Sequence, residues 1–225
     1  WTAEEADQKI EETIAYHRER NIGFQWWVNP FDTPSDLRAR LERHGLILAG
    51  DAATMAHTQL DQLDISVNPQ IEIEVMDGYH EEAIDAMLHI MLVCFNKPAE
   101  ELAQLRATWG ERMRDPKDRL VNTNYLARLN GQPVGFGRLS LRSGVGYLSG
   151  GAVLPEFRGR HVYSTVLRRR LEDARAQGYH IVAIQAEPLS RPIVTRCGFK
   201  EYARSYIYGW MPVMDVNVIK SLVPQ

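Results

Sequence analysis

Residues 145–185 constrain the fold more than any other part of the chain. A glycine-rich apolar strand over 145–153 leads through Pro155-Glu156 into a loop that carries Arg158, Gly159 and Arg160. A helix over 161–177 follows, Gly178 stops it, and 181–185 is an apolar strand of the buried kind. Strand, crossover helix and strand make a βαβ unit, which needs two parallel strands. Upstream, the segments 124–129, 133–141 and 145–153 are joined by Asn130-Gly131 and Ser143-Gly144, both hairpin turns. An antiparallel meander that feeds a βαβ unit gives a mixed sheet and an α/β fold.

The other segments fit around that frame. A helix over 4–20 repeats Ala6, Ile10 and Ile14 at helical spacing. An aromatic strand over 24–28, a helix over 33–43 ended by Gly45, and a strand that begins at 46–49 and resumes after a turn at Gly50-Asp51 complete a first unit. Residues 61–70 read as a linker. The second unit opens with an alternating strand over 71–75 and a helix over 79–95. A further helix starts at Pro98 and Glu100, and 115–118 is a polar break. A short helix over 189–196, ended by Gly198, precedes a final strand over 202–210. The expected division is 1–70, a partial strand-helix-strand unit, and 71–225.

Charge is distributed unevenly. Residues 1–70 hold 6 Lys and Arg against 12 Asp and Glu, and residues 71–225 hold 20 against 17. Neither part is basic enough to bind nucleic acid by bulk charge. No apolar run approaches the ~20 residues of a membrane helix, so no membrane partner is expected. Cys94 and Cys197 show no paired spacing and the histidines no metal-ligand spacing, so no metal is expected. Both cysteines read as packing residues, and a reducing, cytoplasmic setting fits two free thiols. The chain opens at Trp1 without Met or a basic-then-apolar leader, which reads as a processed or shortened start.

Residues 153–163 read Val153-Leu154-Pro155-Glu156-Phe157-Arg158-Gly159-Arg160-His161-Val162-Tyr163. Residues 184–199 open with Ile184-Gln185-Ala186-Glu187-Pro188 and close on Cys197-Gly198-Phe199. In that order and context, the two segments resemble the signatures of the GNAT superfamily of acyl-CoA-dependent N-acyltransferases, over residues 71–210. The resemblance implies a GNAT-like mixed-sheet fold and acetyl-CoA as cosubstrate. It also implies direct transfer of acetyl to a primary amine, on a small molecule or a protein. A weaker likeness is internal. Residues 24–28, Pro34-Ser35-Asp36-Leu37 and His44-Gly45-Leu46 mirror 181–199. Residues 1–60 therefore read either as the back end of a degenerate second copy or as an unrelated extension.

A loop that converges backbone N–H groups ahead of a helix N-terminus binds phosphate. Residues 158–163 supply that context, and the resemblance assigns Arg158, Gly159, Arg160, His161, Val162 and Tyr163 to the pyrophosphate of acyl-CoA. His161 and Tyr163 depart from the pattern, because relatives usually have glycine at the first position and often at the second. If the helix has already begun at His161, its backbone is ordinary and only the ring is in question. The ring either obstructs a phosphate or donates to it. By resemblance, strand 145–153 splays from 181–185, and the pantetheine arm lies in the gap. A backbone N–H near Gly151, Ala152 or Val153 then polarises the thioester carbonyl, and Ser190 is a further cofactor contact. Glu187, just past the strand end, reads as a general base or as a solvated carboxylate. Many relatives place an acidic tyrosine where this chain has Val194. Tyr125 and Tyr147 are acceptor-site candidates. Glu81, Glu82, Glu100 and Glu101 suit either a cationic amine or an ordinary helix surface. The alternative to an enzyme is a catalytically weak acyl-CoA-binding regulator or a protein-interaction module. Uncovered sheet edges would admit a homodimer.

Overall fold

The computed structural model describes residues 1–76, 78–95 and 101–212. The expected helix start at Pro98 and Glu100 lies outside them. Two compact units emerge. Of the described residues, one comprises 1–54, 186–192 and 201–212, and the other those within 55–185 together with 193–200.

The first unit holds helix α1 (Ala3–Glu19), strand β1 (Phe24–Val28), helix α2 (Leu37–Arg43), most of strand β2 (Ile47–His57) and strand β8 (Lys200–Trp210), with strand order β1-β8-β2. β8 runs antiparallel to β1, with Trp26 opposite Tyr208. The α1 stripe of Ile10 and Ile14 packs with Val28, Leu37, Leu41, Leu46, Tyr208 and Trp210. β2 passes straight through Gly50-Asp51, where a turn was expected. The Asp51 carboxylate accepts from Arg191 at 2.5 Å and Arg204 at 3.2 Å, so its charge is satisfied without leaving the strand.

In the second unit the strands run in space as β7-β6-β5-β4-β3. They are β3 (Ile71–Met76), β4 (Asn122–Leu129), β5 (Gln132–Arg142), β6 (Val145–Val153) and β7 (Val182–Ala186). All neighbours are antiparallel except β6 and β7. Both hairpin turns have the left-handed backbone expected of them, with φ of 53° and 79° at Asn130 and Gly131 and 50° and 81° at Ser143 and Gly144. Helices α3 (Glu81–Phe95) and α4 (Leu102–Arg114) cover one face, where Ile84, Met87, Leu88 and Met113 pack on Leu126, Phe136 and Ala152. The polar break after Arg114 is a one-turn helix, α5 (Pro116–Arg119), because Asp115 caps it from the Lys117 N–H at 2.9 Å. Helix α6 (Val162–Ala176) covers the other face, and short helix α7 (Arg191–Arg196) follows β7. No helix among the described residues is long and apolar enough to cross a membrane.

The end of α7 is braced by His57, which is buried. A Cβ at Gly198, where φ is 90°, would stand 2.8 Å from His57 Nε2. The Gln59 N–H donates to His57 Nδ1 at 3.3 Å, and burial holds the imidazole below its ordinary pKa. Below about pH 6.5 the unfolded chain takes a proton that the folded one refuses. That part of the stability is present above pH 6.5 and is lost as pH falls. Thermal melts across pH 5 to 8 should show it, and His57→Gln should flatten the profile. Gly198→Ala should cost about 2 kcal/mol or more through left-handed strain and the clash.

Candidate active site

Two local features define the site, and both follow from glycine positions. β6 pairs with β7 through Gly146 and Val182, Tyr147 and Ala183, and Leu148 and Ile184, and the pairing stops there. β7 runs only two residues further, to Ala186, so residues 149–153 have no described strand partner on that side. On the other side of β6, Ala152 lies opposite Phe136 and Ser149 opposite Arg138, so Gly150 and Gly151 together oppose Gly137. This is a β-bulge, and the left-handed φ of 63° at Gly150 makes it.

The second feature is the loop from Arg158 to the start of α6. Gly159 has φ of 77° and His161 φ of 59°. His161 is therefore the cap of α6, not its first residue. Its backbone lies in the left-handed region, where a side chain costs roughly 1–2 kcal/mol. This corrects the expectation of ordinary helical backbone at His161 and explains in physical terms why glycine suits the position. Histidine is among the residues that tolerate that region best. The exposed imidazole lies back along the helix, with Nδ1 3.4 Å from the Ser164 hydroxyl.

Among the described residues, the backbone N–H groups of Gly159, Arg160, His161, Val162 and Tyr163 meet no protein acceptor, while Thr165 N–H is the first to bond, to the His161 carbonyl at 3.0 Å. With Ser164 N–H, which also meets no protein acceptor, six consecutive donors are free at the start of a fifteen-residue helix, the arrangement that suits an anion. The residues present thus fit a pyrophosphate. The supposed linker braces this loop. Asn68 donates from Nδ2 to the Arg160 carbonyl at 3.1 Å and from its N–H to Thr165 Oγ1 at 3.0 Å. Ser164 Oγ donates to the Ser66 carbonyl at 2.6 Å. Sequence reasoning missed Ser66 and Asn68. Ser66 acts through its main-chain carbonyl, which leaves no side-chain signal, and Asn68 was visible only as a polar residue in an apparent linker.

The other expected residues divide. Arg158 turns back, with Nε 3.4 Å from the Val153 carbonyl, and Cys94 Sγ meets the same carbonyl at 3.3 Å. Cys94 therefore does more than pack. Arg160 is exposed, with its guanidinium 5.5 Å from the Phe157 ring centre. Val162 is buried, and the Tyr163 ring packs inward against Gly151, where a Cβ would meet its Cε2 at 3.0 Å. A side chain at Gly151 would therefore point toward α6, not into the gap between the strands. Ala152 and Val153 are buried. The Ser190 hydroxyl caps the turn before α7 by donating to the Glu187 carbonyl at 3.2 Å. Burial pushes the Glu187 carboxyl up to about 7, which sets it apart from a solvated loop carboxylate. Val194 is fully buried and carries no proton to give.

Tyr147 remains on the open face, with its hydroxyl 3.3 Å from Gln185 Oε1. Tyr125 does not. It is fully buried, and its hydroxyl donates to Asp173 at 2.9 Å. Glu81 is held by Arg106 at 2.7 Å, so it acts as helix surface. Among the described residues no three His, Cys, Asp or Glu side chains come together as a metal site.

The sequence model of the acetyltransferase (GNAT) family matches residues 84–199. No curated protein matches the chain. Among solved structures, the fold is similar to that of a functionally unknown conserved protein from Staphylococcus epidermidis. There the TM-score is 0.67 and identity 15%, over 92% of this chain and 79% of that one. It is also similar to a GCN5-related N-acetyltransferase from Sphaerobacter thermophilus, with TM-score 0.68 and identity 22%, over 91% of this chain and 66% of that one. A tandem GNAT protein from the clavulanic acid biosynthesis pathway gives TM-score 0.60 and identity 16%, over 91% of this chain and 70% of that one. At these identities the likeness is one of fold.

His161→Gly should relieve the left-handed strain and raise stability by about 0.5–1 kcal/mol, after allowance for the more flexible unfolded chain. His161→Val should lower it by about as much or more, because a β-branched residue tolerates that backbone least. Chemical denaturation of the three proteins checks both signs.

Proposed function

We propose that this chain, which belongs to the GNAT acetyltransferase family, transfers acetyl from acetyl-CoA to a primary amine without an acyl-enzyme intermediate. The observation that carries this reading is the run of free N–H groups over 159–163, beside a strand edge that stops pairing at Leu148. The cradle takes the pyrophosphate, and the open edge of β6 takes the amide groups of the pantetheine arm. A backbone N–H of the bulge region, at Gly151, Ala152 or Val153, polarises the thioester carbonyl. The neutral amine attacks the carbonyl carbon, the C–N bond forms, and the C–S bond breaks. The proton lost by the amine passes to Glu187, directly or through one water. The departing thiolate takes a proton from solvent, since Val194 offers none. Arg158 and Arg160 add charge at the rim of the cradle.

The buried Val194 favours a second reading, an acyl-CoA binder of weak activity. It predicts affinity without turnover. We also propose that residues 1–60 are the back end of a degenerate second copy. The capping bonds that end α2 and α7 support this. Leu46 N–H reaches the Leu41 carbonyl and Gly45 N–H the Glu42 carbonyl, as Phe199 N–H reaches Val194 and Gly198 N–H reaches Thr195. The fold likeness to a tandem GNAT protein over 91% of the chain adds to this support.

Calorimetric titration with acetyl-CoA, followed by thiol release over an amine panel, tests the reading. Micromolar binding with turnover supports it, and absence of binding to millimolar concentration rejects it. Arg158→Gln and Arg160→Gln should each weaken CoA binding by about 3- to 10-fold, within the strength of one exposed charged contact.

The pH profile tests Glu187. The rate should rise as pH passes about 7, where the carboxyl loses its proton. Glu187→Gln should remove that inflection and lower the rate by about 10²-fold. Stability should move the other way. A carboxyl with a raised folded pKa makes the protein lose stability as pH climbs from the ordinary value toward 7. Glu187→Gln should therefore melt higher than the parent at pH 8 and no higher at pH 4.

A further inference from the structure

Among the described residues, Arg170 is the largest fully buried side chain, and its burial serves no ion pair. It lies on the inner stripe of α6. The guanidinium rests on the backbone of Gly137, where a Cβ would stand 2.8 Å from Cζ and 2.9 Å from Nη1. Nε donates to the Val166 carbonyl at 3.4 Å and Nη1 to the Arg138 carbonyl at 3.3 Å. Nη2 is buried without an acceptor. It is the guanidinium atom that comes within 4 Å of the bulge, 3.7 Å from the Cβ position of Gly151, where Tyr163 Cε2 is nearer at 3.0 Å. The neighbouring groups are neutral phenols, Tyr163, which interacts with the guanidinium as a hydrogen-bond partner, and Tyr125, and the nearby carboxylate of Asp173 is already held by Arg169 at 3.0 Å and Tyr125 at 2.9 Å.

A buried charge without a counter-charge is expensive, and an apolar residue of the same volume is often the more stable choice. Stability therefore does not explain this arginine. Its place does. Gly137 is the residue that Gly150 and Gly151 face across the bulge, so the cation sits directly beneath the segment whose N–H meets the thioester oxygen in the proposed reaction. Negative charge grows there as the amine attacks. A fixed positive charge in a dry interior acts on it over several ångströms and needs no reorganisation at the moment of reaction.

We propose that Arg170 is a positioning residue for acetyl transfer, whose uncompensated guanidinium seats the Gly150–Gly151 bulge and stabilises the negative charge that forms at it. The inference rests on the acetyl-transfer reading above. Tyr163 and the glycines at 137 and 151 provide the hollow that holds the cation in place.

The test compares the full chain with Arg170→Met, which keeps the volume without the charge, and Arg170→Lys, which restores a charge. Acetyl-CoA affinity is read by calorimetry. Turnover is read as thiol release from acetyl-CoA, with water and with the best amine as acceptor. The expected result for Arg170→Met is an acetyl-CoA Kd within about twofold of the parent, a Tm equal or higher, and a kcat about 10- to 100-fold lower. Arg170→Lys should lie between the two. A merely structural arginine would not raise Tm while lowering kcat. Where Arg170→Met does not fold, Arg170→Gln replaces it, because its amide nitrogen falls near the Nε position and still meets the Val166 carbonyl without a charge. An uncharged variant with the parent's kcat overturns the proposal. So does an equal loss in Arg170→Met and Arg170→Lys together with a lower Tm, which would mark packing alone. A parent protein that binds no acetyl-CoA overturns the acetyl-transfer reading itself, and this inference with it.

Discussion

The parallel pairing of β6 with β7 ends after Leu148 and Ile184, and most of the site geometry depends on that ending. Two further pairs would have closed the sheet. The extra residue at the bulge turns β6 away, because Gly150 adopts a backbone that a side chain would resist. The ladder to β5 survives on one side, so β6 keeps its place while its other edge is left open. Ala152 and Val153 are buried at the end of that edge. Buried backbone without a partner is costly, so the opening calls for something to fill it, and an extended chain of amide groups has the matching chemistry.

The depth of α6 against the sheet is set by a second, complementary constraint. Large residues on the helix meet glycines on the strands. Val162 lies over Gly135, Tyr163 under Gly151 and Arg170 over Gly137, with distances at or near 3 Å from the missing Cβ in each case. Interlocking of this kind leaves little freedom to slide or rotate. The start of α6 is thus fixed with respect to the bulge, and Ser66 and Asn68 hold it from outside. Cradle and open strand edge are therefore parts of one rigid arrangement.

The sequence revealed whichever features depend on neighbouring residues. Both hairpin turns, the stop at Gly178 and the extent of β6 follow from local turn chemistry and periodicity. Gly50-Asp51 looked like a turn for the same reason. It was overruled by Arg191 and Arg204, which lie about 140 and 153 residues away and cannot be weighed locally. The left-handed state of His161 was half legible, since the unusual residue was visible but its backbone was not. Arg170 was invisible, because an arginine in the run Arg168-Arg169-Arg170 of an amphipathic helix reads as surface. Only the three-dimensional match to Gly137 turns it inward. Glu187 was visible as a carboxylate near a strand end, but its raised pKa depends on burial that no spacing reveals.

The N-terminal helix makes the logic of the cradle clearer by contrast. α1, the Asn21 stop and β1 follow one another as α6, the Gly178 stop and β7 do, and Ile22 N–H meets the His17 carbonyl as Tyr179 N–H meets Ala174. The two helices differ at their starts. In α1, Thr2 Oγ1 accepts from the Glu5 N–H at 3.2 Å while the Glu5 carboxylate accepts from the Thr2 N–H at 3.0 Å. The first turn also carries Glu4, so negative charge already sits on the positive end of the helix. A phosphate would have to displace these groups and would be repelled by them. In α6 the cap is a left-handed residue whose side chain makes no capping bond, and the first turn holds no acidic residue. The Thr2 and Glu5 donors that α1 satisfies internally have free counterparts in α6, and the difference between the two helix starts lies in the choice of side chains over the first four positions.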